Sequence, residues 1–349
     1  MNDIMLVAAG KNISGIVTEI STEDALGTLG ASMHFSLPWG DRIAYNLTPP
    51  GLGDPVTLYK GGNAVYNGVI TSEDVSQDRR SYTCHDFCWY LNKSKITIQF
   101  DGISVAQAIM ATLGEVGVNV RIMPDMFAEV EATCYCETPA AILSRLLERQ
   151  SDTDGEDYHI YASKMVEKSL HVEKVGAVKP GTVLEQITSP SRSETLDGMV
   201  NRVEYMTGDS SGYYHTGIFA ENTESVKQYG MIQDIIIAGD EDKDAQTIVN
   251  TRVERKSEPI PRVTVECKGN FNLRAGVTVY ASAPIVGVAG EYIVEQVNNN
   301  IAGGTHRMTV TLRGASKARG YAQTVVEDVK KNGILILHNK EGEKFHVRD

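Results

Sequence analysis

Long apolar runs are missing from this chain. Nowhere in its 349 residues do about 18 hydrophobic residues follow one another, so no segment reads as a membrane-spanning helix and stable membrane insertion is not expected. Basic clusters are missing as well. The nearest approaches are single pairs such as Arg79-Arg80 and Lys330-Lys331, and 45 acids against 33 lysines and arginines leave a formal charge of −12. Binding a phosphate backbone needs a concentrated positive field, so direct nucleic-acid recognition is not expected and basic partner patches are favoured. Met1–Lys11 is short and lacks the basic start of a secretory leader, and five cysteines are an odd number. Together these point to reduced thiols and synthesis in the cytoplasm, which is compatible with later release in a particle. Tryptophan is scarce: with only Trp39 and Trp89, a wall- or sugar-binding platform would have to use tyrosines such as Tyr213-Tyr214.

Signatures of catalysis are equally thin. There is no Gly-x-Ser-x-Gly elbow, and the eight histidines are scattered. Neither Gly51-Leu52-Gly53 nor Gly303-Gly304 runs into the Gly-Lys-Ser/Thr ending of a phosphate loop. The run Asp240-Glu241-Asp242-Lys243-Asp244 lacks the central glycine and closing glutamate of a calcium loop, and reads as the acidic first turn of a helix. Ser151–Asp157, SDTDGED, reads as a solvated acidic loop rather than a source of paired catalytic carboxylates. Cys84 beside His85 does not make a peptidase pair, because adjacent residues on a regular element point apart.

The best metal candidates are Cys84, His85, Cys88, Cys134 and Cys136, since thiolates and an imidazole suit tetrahedral zinc. Cys84 and Cys88 would share a helix face, and Cys134 and Cys136 would share one side of a strand with Tyr135 on the other. Buried small residues would follow the same spacing. The expectation is therefore no metal, no cofactor and no catalytic residue.

What is present is mostly β. Ile13–Ile20, Ala31–Leu37, Val56–Lys60 and Ala64–Thr71 read as strands, the last two joined across Gly61-Gly62-Asn63 in a hairpin. From about Ser81 the pattern changes. Ile96, Ile98 and Phe100 alternate on a strand and Asp101-Gly102 turns the chain. Ser104, three residues before Gln107, then makes a capping box for a helix carrying Val105, Ala108, Ile109, Leu113 and Val116. A second helix opens at Thr138-Pro139 with Ile142, Leu143, Leu146 and Leu147 as its stripe, before a strand pair at Tyr158–Ala162 and Ser169–Glu173. Strands return after Pro180 at Arg262–Lys268, Val277–Ala281, Tyr292–Val297 and Arg307–Arg313, interrupted by an amphipathic helix over Asp240–Glu258. A polar, helical stretch to Lys331 and a hairpin from Gly333–His338 and Lys344–Val347 close the chain. The fold class expected is α+β, mostly β. Two barrel-like β-domains (1–80 and 181–315) flank a small inserted α+β module (81–180), and a C-terminal arm (316–349) follows.

Four passages carry a resemblance. They are Thr83–Gly117 with Asp86, Trp89-Tyr90-Leu91-Asn92 and the capped helix; Ser189–Tyr205 with Asn201-Arg202-Val203; Lys227–Ile236 with Tyr229-Gly230; and Gly290–Leu312 with Gly303-Gly304, His306 and Met308. In this order they resemble the XkdQ-like and YqbQ-like baseplate hub proteins of contractile phage tails and phage-tail-like bacteriocins, from about residue 80 to 315. The resemblance implies a structural, non-enzymatic subunit. Two barrel-like domains in each of three copies would form a trimeric, pseudo-sixfold ring between a hexameric tail tube and a trimeric spike. The partners implied are two further copies, the tube and spike proteins, other baseplate proteins and a tape measure, in a particle released on lysis. The four cysteines at 84, 88, 134 and 136 do not belong to the family pattern, and the arm has no counterpart in it. A tail-borne cell-wall hydrolase or wall-binding module is the competing expectation.

Overall fold

The computed structural model describes residues 3–39, 48–164, 168–179, 181–209, 212–238 and 244–314, and two short strands at 336–338 and 344–346. The chain opens with seven strands, β1 (Ile4–Ala8), β2 (Lys11–Asn12), β3 (Glu19–Ala25), β4 (Ser32–Pro38), β5 (Pro55–Lys60), β6 (Asn63–Val75) and β7 (Arg79–His85). Lys60 pairs with Asn63 across Gly61 and Gly62, which both take positive φ, the two-residue hairpin geometry that matches strand twist. β3 begins later than the apolar pattern from Ile13 implies. Ile16 donates to the Ile13 carbonyl in a turn, and Ile13 and Val17 are buried from this irregular segment rather than from a strand.

An inserted unit follows, with α1 (Cys88–Leu91), β8 (Ile96–Ser104), α2 (Val105–Gly114), β9 (Asn119–Ile122), β10 (Glu129–Glu137), α3 (Pro139–Asp154), β11 (Tyr158–Ala162) and β12 (Ser169–Lys174). Asp101-Gly102 is not a turn. β8 runs straight through it, and the pair makes a bulge where Phe100 faces Ala132 and Ile103 faces Val130. At α2, Gln107 N–H donates to Ser104 Oγ at 3.3 Å and Ser104 N–H donates to Gln107 Oε1 at 3.1 Å, a complete capping box. Thr138 caps α3 at Ala141 N–H, with Pro139 in the first turn. Ile109, Leu113, Ile142, Leu143 and Leu146 close the core of this unit, each 3% exposed or less.

The remaining elements are β13 (Thr188–Ser193), β14 (Arg202–Asp209), β15 (Gly212–Glu221), α4 (Thr223–Tyr229), β16 (Gln233–Ala238), α5 (Ala245–Lys256), β17 (Arg262–Lys268), β18 (Thr278–Ala283), a 3₁₀ turn at Pro284–Val286, β19 (Val288–Ala302) and β20 (Thr305–Gly314). Two short strands, β21 (Ile336–His338) and β22 (Lys344–His346), pair as the expected hairpin, while the polar stretch to Lys331 lies outside the described residues. The helix expected over Asp240–Glu258 is α5; Asp240–Lys243 also lie outside the described residues.

β19 joins the two ends of the chain. It pairs with β20 along one edge, and on the other with β18 through Val288–Ile293 and then with β3 through Gln296–Ala302. The flanking β parts thereby form one twelve-stranded sheet. Val288, Val294 and Val297 pack in the last β core, whereas Ile301, further along the same strand, packs in the first. A bulge at Glu295 makes this possible, since it shifts the alternation between Val294 and Val297. Arg262 holds that bulge by a two-pronged contact to the Glu295 carboxylate, at 2.5 and 2.9 Å. The fold is thus mostly β with an inserted α+β unit between two β parts. Within the second β part sits a further small unit: β15, β14 and β16 form a separate sheet, with Val203 and Tyr205 buried against Ala245, Val249 and Val253 of α5. β16 runs parallel to β14, so it needs the α4 crossover and cannot belong to a meander.

Candidate assembly joints and surfaces

The cysteines do not converge. Cys84 lies in β7 and Cys88 in α1, so they share no helix face; Cys84 packs in the first β core and Cys88 in the core of the inserted unit. Cys134 is buried, while Cys136 is exposed with φ +54° at the bulge between Cys134 and Glu137, and the two thiols point apart. Arg145 Nη2 donates to Cys134 Sγ at 3.0 Å. Burial pushes the Cys84 thiol up to about 12 and holds Cys88 well above its ordinary value, with the Asp86 carboxylate adding to the effect at Cys88. His85 is bonded to Thr71 Oγ1 at 2.7 Å and stacks on Trp89. Among the described residues, no three of His, Cys, Asp and Glu are grouped to hold a metal ion.

The residues that carried the resemblance sit at joints. Asp86, 5% exposed, accepts from Ala31 N–H at 2.8 Å and Cys88 N–H at 3.0 Å, pinning the start of β4 to the start of α1. Gly30 is required beside it, because a Cβ there would lie 2.5 Å from the carboxylate. Asn201 is fully buried and fully used. Its amide donates to the Gly230 carbonyl at 2.7 Å and to Ser225 Oγ at 3.3 Å, and its oxygen accepts from Ile232 N–H at 2.8 Å, which fixes the α4–β16 crossover. His306 stacks on Phe271 at 4.3 Å and bonds Asn299 Oδ1 at 2.9 Å, with Lys60 Nζ 3.3 Å from its other nitrogen. Burial and Lys60 hold its pKa down at about 4, so the ring is a neutral spacer between the β5–β6 hairpin and the β19–β20 hairpin.

A joint that the sequence hides ties the inserted unit to the small one. Asp152, 1% exposed, is at the end of α3 and not in a solvated loop. Arg252 Nη2 donates to its Oδ2 at 2.5 Å and Arg255 Nη1 to its Oδ1 at 3.0 Å, both from α5. Arg255 also reaches Asp157 at 2.7 Å, Arg313 of β20 reaches Asp157 at 2.6 Å, and Arg252 reaches Asp234 of β16 at 2.9 Å. Burial acts to raise the Asp157 pKa, but Arg313 and Arg255 outweigh it and hold the carboxyl below its ordinary range. The one local sign is the spacing of Arg252 and Arg255, which puts both on one helix face.

The outer face of the β15–β14–β16 sheet is open and mixes apolar with charged side chains. Phe219, Glu204 and Ile235 form one row across it and His215, Met206 and Ile237 the next, with Phe219, Ile235 and Ile237 all exposed. Tyr213, 68% exposed, lies across Gly208, where a Cβ would come within 2.6 Å of its ring. His215 Nδ1 and Glu204 Oε1 are 2.6 Å apart in the middle of the face. Strand pairing at the edge is discouraged, because Ile235 N–H is turned to the Asp234 carboxylate at 2.9 Å.

The YqbQ-like family model matches residues 21–313. The chain belongs to the YqbQ-like family. A member-like relative, the phage-like element PBSX protein XkdQ of Bacillus subtilis strain 168, is 20% identical over 279 residues, covering 78% of this chain and 83% of that protein. The 43 kDa tail protein of prophage MuSo2 from Shewanella oneidensis shares the fold with a TM-score of 0.67 at 15% identity, over 89% of this chain and 98% of that one. A type VI secretion system component of E. coli, described as similar in structure to the bacteriophage T4 tail proteins gp27 and gp5, gives a TM-score of 0.57 at 13% identity. That likeness covers 89% of this chain and 77% of that protein. The fold of this YqbQ-like chain is therefore that of phage tail proteins.

Proposed function

We propose that this chain is the structural hub of a tail baseplate, in a contractile tail or contractile injection particle. Three copies form a pseudo-sixfold ring that joins a hexameric tail tube to a trimeric spike, with other baseplate proteins and the tape measure as further neighbours. The subunit is made in the bacterial cytoplasm, built into the particle and released on lysis. In this reading residues 1–80 and 181–315 are the two ring-forming parts, 81–180 the outer module and 316–349 an arm for a partner.

The observation that carries the proposal is the twelve-stranded sheet closed by β19 on β3. It makes the two β parts of one subunit a single hydrogen-bonded body, so that three subunits offer six β parts in fixed geometry. The likeness to prophage tail proteins and to a secretion component itself compared with T4 tail proteins supports this reading. The joints at Asp86, Asn201 and His306 fit it as well, because each spends its polar groups on holding elements together.

The test is reconstitution. Purified chain mixed with the tube and spike proteins of its particle is expected to give rings of three copies by mass photometry, bound to both partners in negative-stain images. Val310 is fully buried in the last β core, and Val310→Asp is expected to abolish the ring. Wild-type chain that binds neither partner, or that clears cell-wall suspensions by itself, would overturn the proposal.

A further inference from the structure

A cleft opens where the first β part, the inserted unit and the last β part meet, lined by Asp24, Tyr66, Asp86, Lys164 and Phe271 among others, with a volume of about 60 Å³. That is room for about four water-sized groups. Two polar groups facing it are short of partners. Tyr66 is 4% exposed, and its hydroxyl has no hydrogen-bond partner among the described residues. It is held against β6, where a Cβ on Gly68 would stand 2.6 Å from the hydroxyl. Lys164 is an exposed residue overall, and its ammonium donates to one acceptor among the described residues, the Phe271 carbonyl, at 3.4 Å. An ammonium has three protons to donate, and burial here lowers its pKa.

The carboxylates nearby do not make up the deficit. Both oxygens of Asp86 are taken by the Ala31 and Cys88 amides, and Asp24 accepts from Ala275 N–H at 3.0 Å, acting on Lys164 only through space. Glu23, Asp24 and Asp86 line the cleft against Lys164 and Arg274, and Arg274 is itself paired with Glu173. An anion would meet this excess of carboxylates, and a cation would be repelled by the Lys164 ammonium. An occupant that accepts from Lys164 and meets both the donor and the acceptor capacity of the Tyr66 hydroxyl is neutral and both gives and takes hydrogen bonds.

We propose that this cleft is a binding site for a neutral hydroxylic occupant, ordered water exchangeable for a small polyol, that bridges Tyr66 Oη and Lys164 Nζ. The bridge ties the inserted unit to the first β part beside the Asp86 pin, through replaceable bonds rather than packing.

High-resolution crystal structures of the full chain, grown with and without glycerol, test the proposal together with thermal melting of Tyr66→Phe and Lys164→Met. At least two ordered oxygens are expected within hydrogen-bonding distance of Oη and Nζ. Glycerol replacing them would identify a polyol site, and oxygens unchanged by glycerol would identify solvent; either supports the bridge. Tyr66→Phe is expected to melt lower than wild type, because it removes a bond that exists. A higher or unchanged melting point would overturn the proposal, since deleting an unbonded buried hydroxyl relieves a desolvation cost. Should Tyr66→Phe fail to fold, Lys164→Met decides: ordered oxygens at Tyr66 are expected to vanish, and their full retention would show that no bridge existed. A dry cleft, or a buffer anion on Lys164, would equally contradict it.

Discussion

Replacing Arg252 by methionine removes one of the two guanidinium groups that face Asp152. The side chains of Arg252 and Asp152 are 11% and 2% exposed, so solvent can do little to make up for the loss. Breaking a buried ion pair by deleting one partner costs about 3–5 kcal/mol when the remaining charge is stranded. Here Arg255 still holds Asp152 at 3.0 Å, which reduces the expected cost to roughly half, about 2 kcal/mol. For a cooperative unit of 150–250 residues that corresponds to a melting-point fall of roughly 4–8 °C. Calorimetry or urea unfolding measures it, and hydrogen exchange should show the loss concentrated at α3 and α5, which pack on each other. The double variant with Asp152→Leu is expected to recover part of the loss, giving a coupling of about 1.5–3 kcal/mol in the mutant cycle. An Arg252→Met variant within about 0.5 kcal/mol of wild type, or a strictly additive cycle, would refute the idea that this network joins the two units.

Three further outcomes are expected. Burial, against the Ala31 and Cys88 hydrogen bonds, pushes the Asp86 pKa up to about 6, so between roughly pH 4 and 6 the native state keeps a proton that the unfolded chain has lost. Its contribution to stability should therefore fall as pH rises through that window, by at most about 3 kcal/mol, and be flat above pH 7; a wild-type minus Asp86→Asn difference that shows no slope would contradict this. Thiol titration should find one reactive group, Cys136, in the native protein and five in denaturant, unchanged by added zinc; rapid labelling of Cys84 or Cys88 would show that the cores are not closed. Leu146, 3% exposed between α2 and α3, should not tolerate Asp: the unpaired charge is expected to unfold the inserted unit, and a wild-type circular dichroism melt would disprove the core assignment.

Local chemistry was legible in the sequence. The Ser104–Gln107 box, the Thr138-Pro139 helix start, the glycine hairpin at 61–62 and the strand over Arg307–Arg313 each depend on residues within a few positions, and each stands where it was expected. What escaped is long-range. β3 and β19 meet although Glu23 and Gln296, hydrogen-bonded at 2.6 Å, are 273 positions apart, and no local pattern announces such a pairing. Asp152 read as solvated because its acidic neighbours hide the fact that two arginines 100 and 103 positions away cover it. Asp101-Gly102 read as a turn because the same dipeptide serves turns and bulges, and only the partner strand decides between them. The small unit around α5 was folded into an expected second barrel for a similar reason: β16 has strand composition, and its parallel pairing with β14 is a tertiary fact. The family motifs, in turn, proved to be joint residues, which is why their order along the chain was informative before their partners were known.

Everything in the functional account depends on where this subunit sits and in how many copies. Cryo-electron microscopy of the assembled particle measures both at once. The account requires three copies in one closed ring between tube and spike, with the β19–β3 sheet of each subunit forming the ring wall. A map showing the chain in six copies on the periphery, or absent from the tube–spike junction, would contradict it.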